Sequence, residues 1–251
     1  MRRFAMRLWA WAQRGKADTF TSAVLTVPVF LLYHLGILVI DQRNGVDWVS
    51  ELAFGLLEQS VPAYVGVTLA LALGLGLTLR VLQSRGTLRP IALLPTVLES
   101  GIWAIAMMLS VGYATAELTS SLSAGLIAPE LSSGQALAQL GPIDKLVLSA
   151  GAGFHEELAF RVVLFSGGAL GLMRILRMRV TTAHALAALG SALLFALVHH
   201  LGPYGDPLAL APFVFRTLAA LYLTIVYAAR GFAVAVYTHT IYDLIVFFVT
   251  S

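Results

Sequence analysis

The sequence predicts an all-α fold, a polytopic transmembrane helical bundle of about seven spans with a basic N-terminal interfacial segment. Three observations predict it. Of 251 residues, 59% are hydrophobic and 12% charged, about half the charged share of a soluble domain, and the mean hydropathy is +0.85. The apolar residues gather into runs of about 20, the length needed to cross the hydrocarbon layer. Lys and Arg cluster at the ends of those runs, so the net charge of +3 and pI near 9.4 read as topology signals and not as a nucleic-acid-binding face. The absence of cysteine excludes a thiol nucleophile, disulfides and thiolate metal sites.

Residues 1–16 carry Arg2, Arg3, Arg7, Arg14 and Lys16 beside Trp9 and Trp11, the pattern of an amphipathic segment lying on the cytoplasmic leaflet. A signal peptide is the rival, but the run at 20–40 is long enough to span and lacks a small-residue cleavage site. Residues 41–60 hold Asp47, Glu51 and Glu58 against Arg43 and read as an outer loop with an interfacial helix. A second span, 61–79, ends at Arg80, Arg85 and Arg89, an inner loop. The third, 91–113, contains Pro95 as an expected kink and Glu99 as an isolated charge.

Residues 117–144, with Pro129 and Pro142, read as an outer loop carrying a re-entrant or surface helix. The fourth span, 145–170, is followed by Arg174, Arg177 and Arg179 on the inside. The fifth, 183–201, ends at the turn 202–207; the sixth, 208–229, contains Arg216; the turn Arg230-Gly231 leads into the seventh, 232–249. This order puts every basic loop and the amino terminus inside and the carboxyl terminus outside. The expected organisation is one integral membrane domain, 1–251, with spans and loops in 1–143 and the chemistry in 144–251. No internal repeat is visible.

The polar groups in the late spans are costly to bury and therefore candidates for function. On a helix Glu157 and Arg161 stand at i and i+4 and can neutralise one another, while Glu156 points about 100° away, leaving one carboxylate free. His199, with His200 beside it, ends the next span, and His239 and Asp243 share a face of the last one. Carboxylates and imidazoles converging from separate helices suit water activation: a glutamate takes the proton, one histidine orients the water or protonates the leaving amine, and a second stabilises the oxyanion.

Three motifs, Glu156-Glu157-Leu-Ala-Phe-Arg161, Phe195-Ala-Leu-Val-His199 and His239-Thr-Ile-Tyr-Asp243, stand in order in successive spans. Together they resemble the CPBP family, the intramembrane endopeptidases that include the CAAX prenyl proteases and bacterial Abi proteins. The resemblance covers about 145–249, so 144–251 is expected to be a CPBP core. It implies Glu156 as the base acting with His199, Glu157 and Arg161 as a supporting pair, Phe195 as part of the second motif, and His239 with Asp243 as transition-state stabilisers. The prenyl proteases most often have Asn at the last position. An ionised Asp243 would repel an oxyanion, so it is either protonated or orients His239.

The resemblance favours metal-independent, glutamic chemistry without a cofactor; His199, His239 and Glu156 as a His₂Glu zinc set is the alternative. A proton-coupled transporter or channel using the same cluster is a reading from another class, disfavoured because all the polar chemistry lies in the second half. The motifs of aspartyl, rhomboid and site-2 intramembrane proteases are absent. The bland readings are a structural pair for Glu157 and Arg161, interfacial or structural histidines at 34, 155 and 184, and a cross-bundle pair of Glu99 with Arg216. The expected activity is hydrolysis of a peptide bond near the C-terminal membrane anchor or sorting signal of a protein substrate, in a conical cavity open to one side. The partners are a membrane protein or peptide with a C-terminal hydrophobic segment and the lipid bilayer, with no nucleic acid. High Ala, Leu, Gly and Arg usage points to a bacterial inner membrane.

Overall fold

The structure is a computed structural model describing residues 17–40, 61–84, 86–88, 90–122, 140–201 and 206–249. The expected interfacial segment at 1–16 and the outer loop at 41–60 lie outside the described residues. Those described form helices and no strands.

Asp18 starts the first helix, α1 (Thr19–Leu25): its carboxylate accepts from the Thr21 backbone at 2.9 Å and the Thr21 hydroxyl at 2.8 Å. The chain breaks at Thr26, whose hydroxyl turns back to Ala23 O (2.8 Å), and Pro28 opens α2 (Val27–Gly36). Proline there lacks only an N–H that a first turn leaves unpaired anyway. Helix α3 (Val61–Gln83) follows, then a 3₁₀ turn (Pro90–Ala92) and α4 (Leu93–Leu122). Two expectations are corrected here. The third span runs on as helix to Leu122, into the stretch read as loop, and Pro95 falls in its first turn, where it needs no kink; residues 123–139 lie outside the described ones.

The charged helix is one uninterrupted run of three segments: α5 (Pro142–Glu157), a π-helical stretch (Leu158–Gly167) and α6 (Gly168–Arg174). Asp144 caps its start, accepting from Gly141 N–H at 2.9 Å. A turn through Arg177, whose φ is +52°, leads to α7 (Val180–Val198). Helix α8 (Leu210–Arg230) and α9 (Phe232–Val249) meet at Gly231, whose φ of +97° suits the one residue without a Cβ.

Among the described residues six helical stretches are long and apolar enough to cross a membrane: Thr19–Gly36, Val65–Gln83, Leu93–Ser120, Val180–Val198, Leu210–Arg230 and Phe232–Val249. The run from Pro142 to Arg174 is not among them, because Asp144, Lys145, Glu156 and Glu157 lower its hydropathy. Most of α5 is buried, whereas Leu158, Val163, Leu164 and Leu170 further along the run are exposed. The chain is thus a multi-pass integral membrane bundle whose charged segment packs against the other helices.

Helix α9 is the hub, packed against α5, α4, α8 and α1, while α7 joins α8 to the π stretch. The α5 sequence Ser-Ala-Gly-Ala-Gly (149–153) makes this possible. A Cβ on Gly153 would stand 2.0 Å from Thr240 Oγ1 and 3.0 Å from Val236 O, and one on Gly151 would stand 2.4 Å from the Tyr33 ring. Small residues let the backbones close in, the usual device where lipid removes the hydrophobic drive between helices. Val29, Phe30 and Tyr33 of α2 then pack on Val147 and Phe154 of α5 and Val236 of α9. Helix α3 meets α1 at the periphery, with Leu69 and Leu73 facing outward.

Two ion pairs tie helix ends. Arg230 Nη2 donates to Glu99 Oε2 at 2.8 Å, and the Trp103 indole donates to Glu99 Oε1 at 3.0 Å. Arg216 pairs instead with Asp206. The expected Glu99–Arg216 pair is therefore wrong: the two lie toward opposite ends of their helices.

Candidate active site

Glu156 and Glu157 are the last two residues of α5, where the ladder widens to π. The widening leaves backbone carbonyls free for other donors: Ser191 Oγ donates to Phe160 O at 2.7 Å and Ser166 Oγ to Arg161 O at 3.0 Å. Such stretches are rare and occur most often at functional sites.

Arg161 is fully buried and held from three directions. Its Nη1 lies 3.0 Å from Glu157 Oε1, its Nη2 donates to Ala220 O at 3.4 Å, and its guanidinium lies 4.9 Å from the Phe195 ring centroid. Glu157 Oε1 is shared: His239 Nδ1 approaches the same oxygen at 2.8 Å. A carboxylate accepts, so that nitrogen carries the proton and Nε2 of His239 turns the other way. His199 is set alike, with Nδ1 donating to Phe195 O at 2.7 Å.

Both Nε2 atoms face one oxygen. Glu156 Oε2 stands 3.7 Å from His239 Nε2 and 3.9 Å from His199 Nε2. It is buried and makes no hydrogen bond among the described residues. Asp243 Oδ2 lies 3.7 Å from the same His239 Nε2. The Phe195 ring packs against His199 (4.7 Å between centroids), Phe160 (5.0 Å) and His239 (6.1 Å). Every site residue singled out in the sequence, Glu156, Glu157, Arg161, Phe195, His199, His239 and Asp243, thus falls in one cluster drawn from α5, the π stretch, α7 and α9.

Two connections had no sequence signal. The hydrogen bond from His239 to Glu157 depends on the depth at which α5 and α9 cross, which periodicity does not encode. Asp206 was read as part of a turn, yet its N–H donates to His199 O at 2.9 Å and its carboxylate holds Arg216. It thereby caps the helix end that carries His199, and its own carbonyl accepts from His200 Nδ1 at 3.0 Å.

Among the described residues no group of three or more His, Asp and Glu side chains is arranged to hold a metal ion. Tetrahedral zinc, with bonds of 2.0–2.2 Å, brings its ligand atoms to about 3.4 Å from one another. The separations of 3.7 and 3.9 Å around Glu156 come within a few tenths of an Å of that, so Glu156, His199 and His239 remain the set that a zinc ion would take.

A family model described as Type II CAAX prenyl endopeptidase Rce1-like matches residues 139–245. That stretch contains the whole cluster. Among curated proteins and among solved structures, no match to the chain was found.

Proposed function

We propose that the chain, whose residues 139–245 match the Rce1-like family of type II CAAX prenyl endopeptidases, is a glutamic intramembrane endopeptidase of that kind acting near the C-terminal membrane anchor or sorting signal of a protein substrate. The family is one of intramembrane peptidases. The observation that carries the finer reading is the buried oxygen of Glu156 facing two imidazole nitrogens at 3.7 and 3.9 Å. Those gaps are too long for direct hydrogen bonds, and the three atoms converge on one small space that a water molecule can enter.

In this reading a water held there donates one hydrogen bond to Glu156 Oε2 and the other to His199 Nε2, which fixes its direction. The water oxygen attacks the scissile carbonyl carbon as Glu156 takes its proton. The oxyanion forms beside His239, and Asp243 serves by keeping a proton on His239 Nε2. Glu156 then passes its proton to the amide nitrogen as the C–N bond breaks, leaving a carboxylate and an amine. General base catalysis of this kind contributes about 10²–10⁴-fold. Glu157 and Arg161 hold His239 in place without touching the substrate. The favoured setting is a bacterial inner membrane.

The test is cleavage of reporters bearing candidate C-terminal anchors by purified enzyme in proteoliposomes. Cleavage lost in Glu156→Ala and unaffected by chelator supports the reading. Loss on chelation with recovery on zinc moves Glu156, His199 and His239 to a metal site. A Glu156→Ala variant that cleaves like wild type overturns the assignment, and no cleavage by either favours a proton-coupled transporter.

A further inference from the structure

Glu156 lies midway along the run from Pro142 to Arg174 and His239 midway along α9, His199 closes α7, and the basic residues sit at the end of the bundle away from His199. Helix α7 separates them: its 19 residues begin after Arg179 and end at His199, a length of about 28 Å, close to the hydrocarbon thickness. Arg174 and Arg177 lie at the same end as Arg179. Topology extends the same face to Arg80 at the close of α3 and Arg230 at the close of α8. Among the described residues Arg80, Arg174, Arg177, Arg179 and Arg230 share this end, and Lys145, Arg161 and Arg216 lie away from it. By the positive-inside rule that face is cytoplasmic.

Access follows the same division. At the His199 end the cluster reaches the surface: the His199 side chain is 18% exposed and Asp243 also 18%. Toward the basic end the space between α7 and the π stretch is filled, first by Phe160 against Ala192 and Phe195, then by Phe165 against Ala169 and Ala187; a cavity beside Glu99 and Arg230 lies between α1, α4 and α9 at that end, lined by none of the cluster residues. We infer that the site opens to the extracytoplasmic face, so that its substrates are membrane-anchored proteins whose scissile segment lies at the outer surface. This rests on the hydrolase reading for the word substrate, but the orientation itself does not.

The native chain has no cysteine, which makes orientation directly readable. Leu201, just past His199, is 58% exposed, and Ile175, at the basic end, is 80% exposed; neither belongs to the cluster. In intact bacterial cells expressing the full chain, a membrane-impermeant maleimide is expected to label Leu201→Cys and to spare Ile175→Cys until detergent is added. Protection of Leu201→Cys, or equal labelling of both, overturns the inference. A second arm uses reporters with the same anchor and the test segment either outside or inside. Cleavage of the outside form alone supports the inference, and cleavage of the inside form overturns it. If detergent-solubilised enzyme cleaves neither, the hydrolase reading fails while the maleimide result still decides the orientation.

Discussion

Glu157 has three tasks for one carboxylate: it neutralises Arg161, orients His239 and ends α5. Its replacement by Gln leaves the guanidinium buried without a counter-charge, which typically costs about 3–5 kcal/mol. Glu157→Gln is therefore expected to lower the thermal unfolding midpoint in detergent strongly. Glu156→Gln leaves the Glu157–Arg161 pair intact, so it should lower that midpoint much less than Glu157→Gln while abolishing cleavage. Equal loss of stability in the two would contradict the division of labour proposed for the pair. That division was legible as a spacing, since i and i+4 put Glu157 on Arg161 and left Glu156 over. What Glu156 faces was not legible, because it depends on three other helices.

At the scale of elements, the spans were readable by length and apolar content, and α9 falls at 232–249 as the sequence indicates. Pairings between helices were harder to read, although depth offered a guide. Counted from the basic ends, Glu99 and Arg230 lie near the same face, whereas positions 216 and 230 are 14 residues apart, about 21 Å of helix. That arithmetic favours the Glu99–Arg230 pair over Glu99–Arg216. Both groups are partly exposed, so a double-mutant cycle with Glu99→Gln and Arg230→Gln should give a coupling of about 1 kcal/mol or less. Close approach yields a sharper prediction. Gly153→Ala drives a methyl into Thr240 and the Val236 carbonyl, so it should separate α5 from α9 and reduce cleavage at least tenfold, measured against Gly74→Ala on open α3, expected to be neutral. At the other boundary Asp18→Ala removes the cap of α1 and should cost about 1 kcal/mol in unfolding experiments. Although burial alone would raise it, the Asp18 carboxyl is held below its ordinary pKa by its hydrogen bonds to Thr21. Its contribution is therefore present above the usual carboxylate range and lost as pH falls through the lowered value.

For the whole molecule, the bundle separates two demands. Helices α3 and α4 present leucines outward, while the helix that carries most of the charges is partly enclosed, α5 lying against α2 and α9 and its π stretch against α7 and α8. Hydropathy alone finds the enclosing helices and passes over the enclosed one, which carries much of the chemistry. Its π stretch has a further consequence. An i→i+5 ladder accommodates residues that an α-helical turn would not, so the stretch works as a slack section between two fixed phases. Glu156 and Glu157 on one side and Ala169 on the other need not obey a single 3.6-residue rhythm. A residue deleted between 162 and 166 would be absorbed by tightening to α, rotating α6 and the connection to α7 while leaving the glutamates against α9. Relatives of this chain that lack one residue there should keep the contact of the glutamates with His239 and carry the change downstream, as a turn of α6 taken up in the connection before α7.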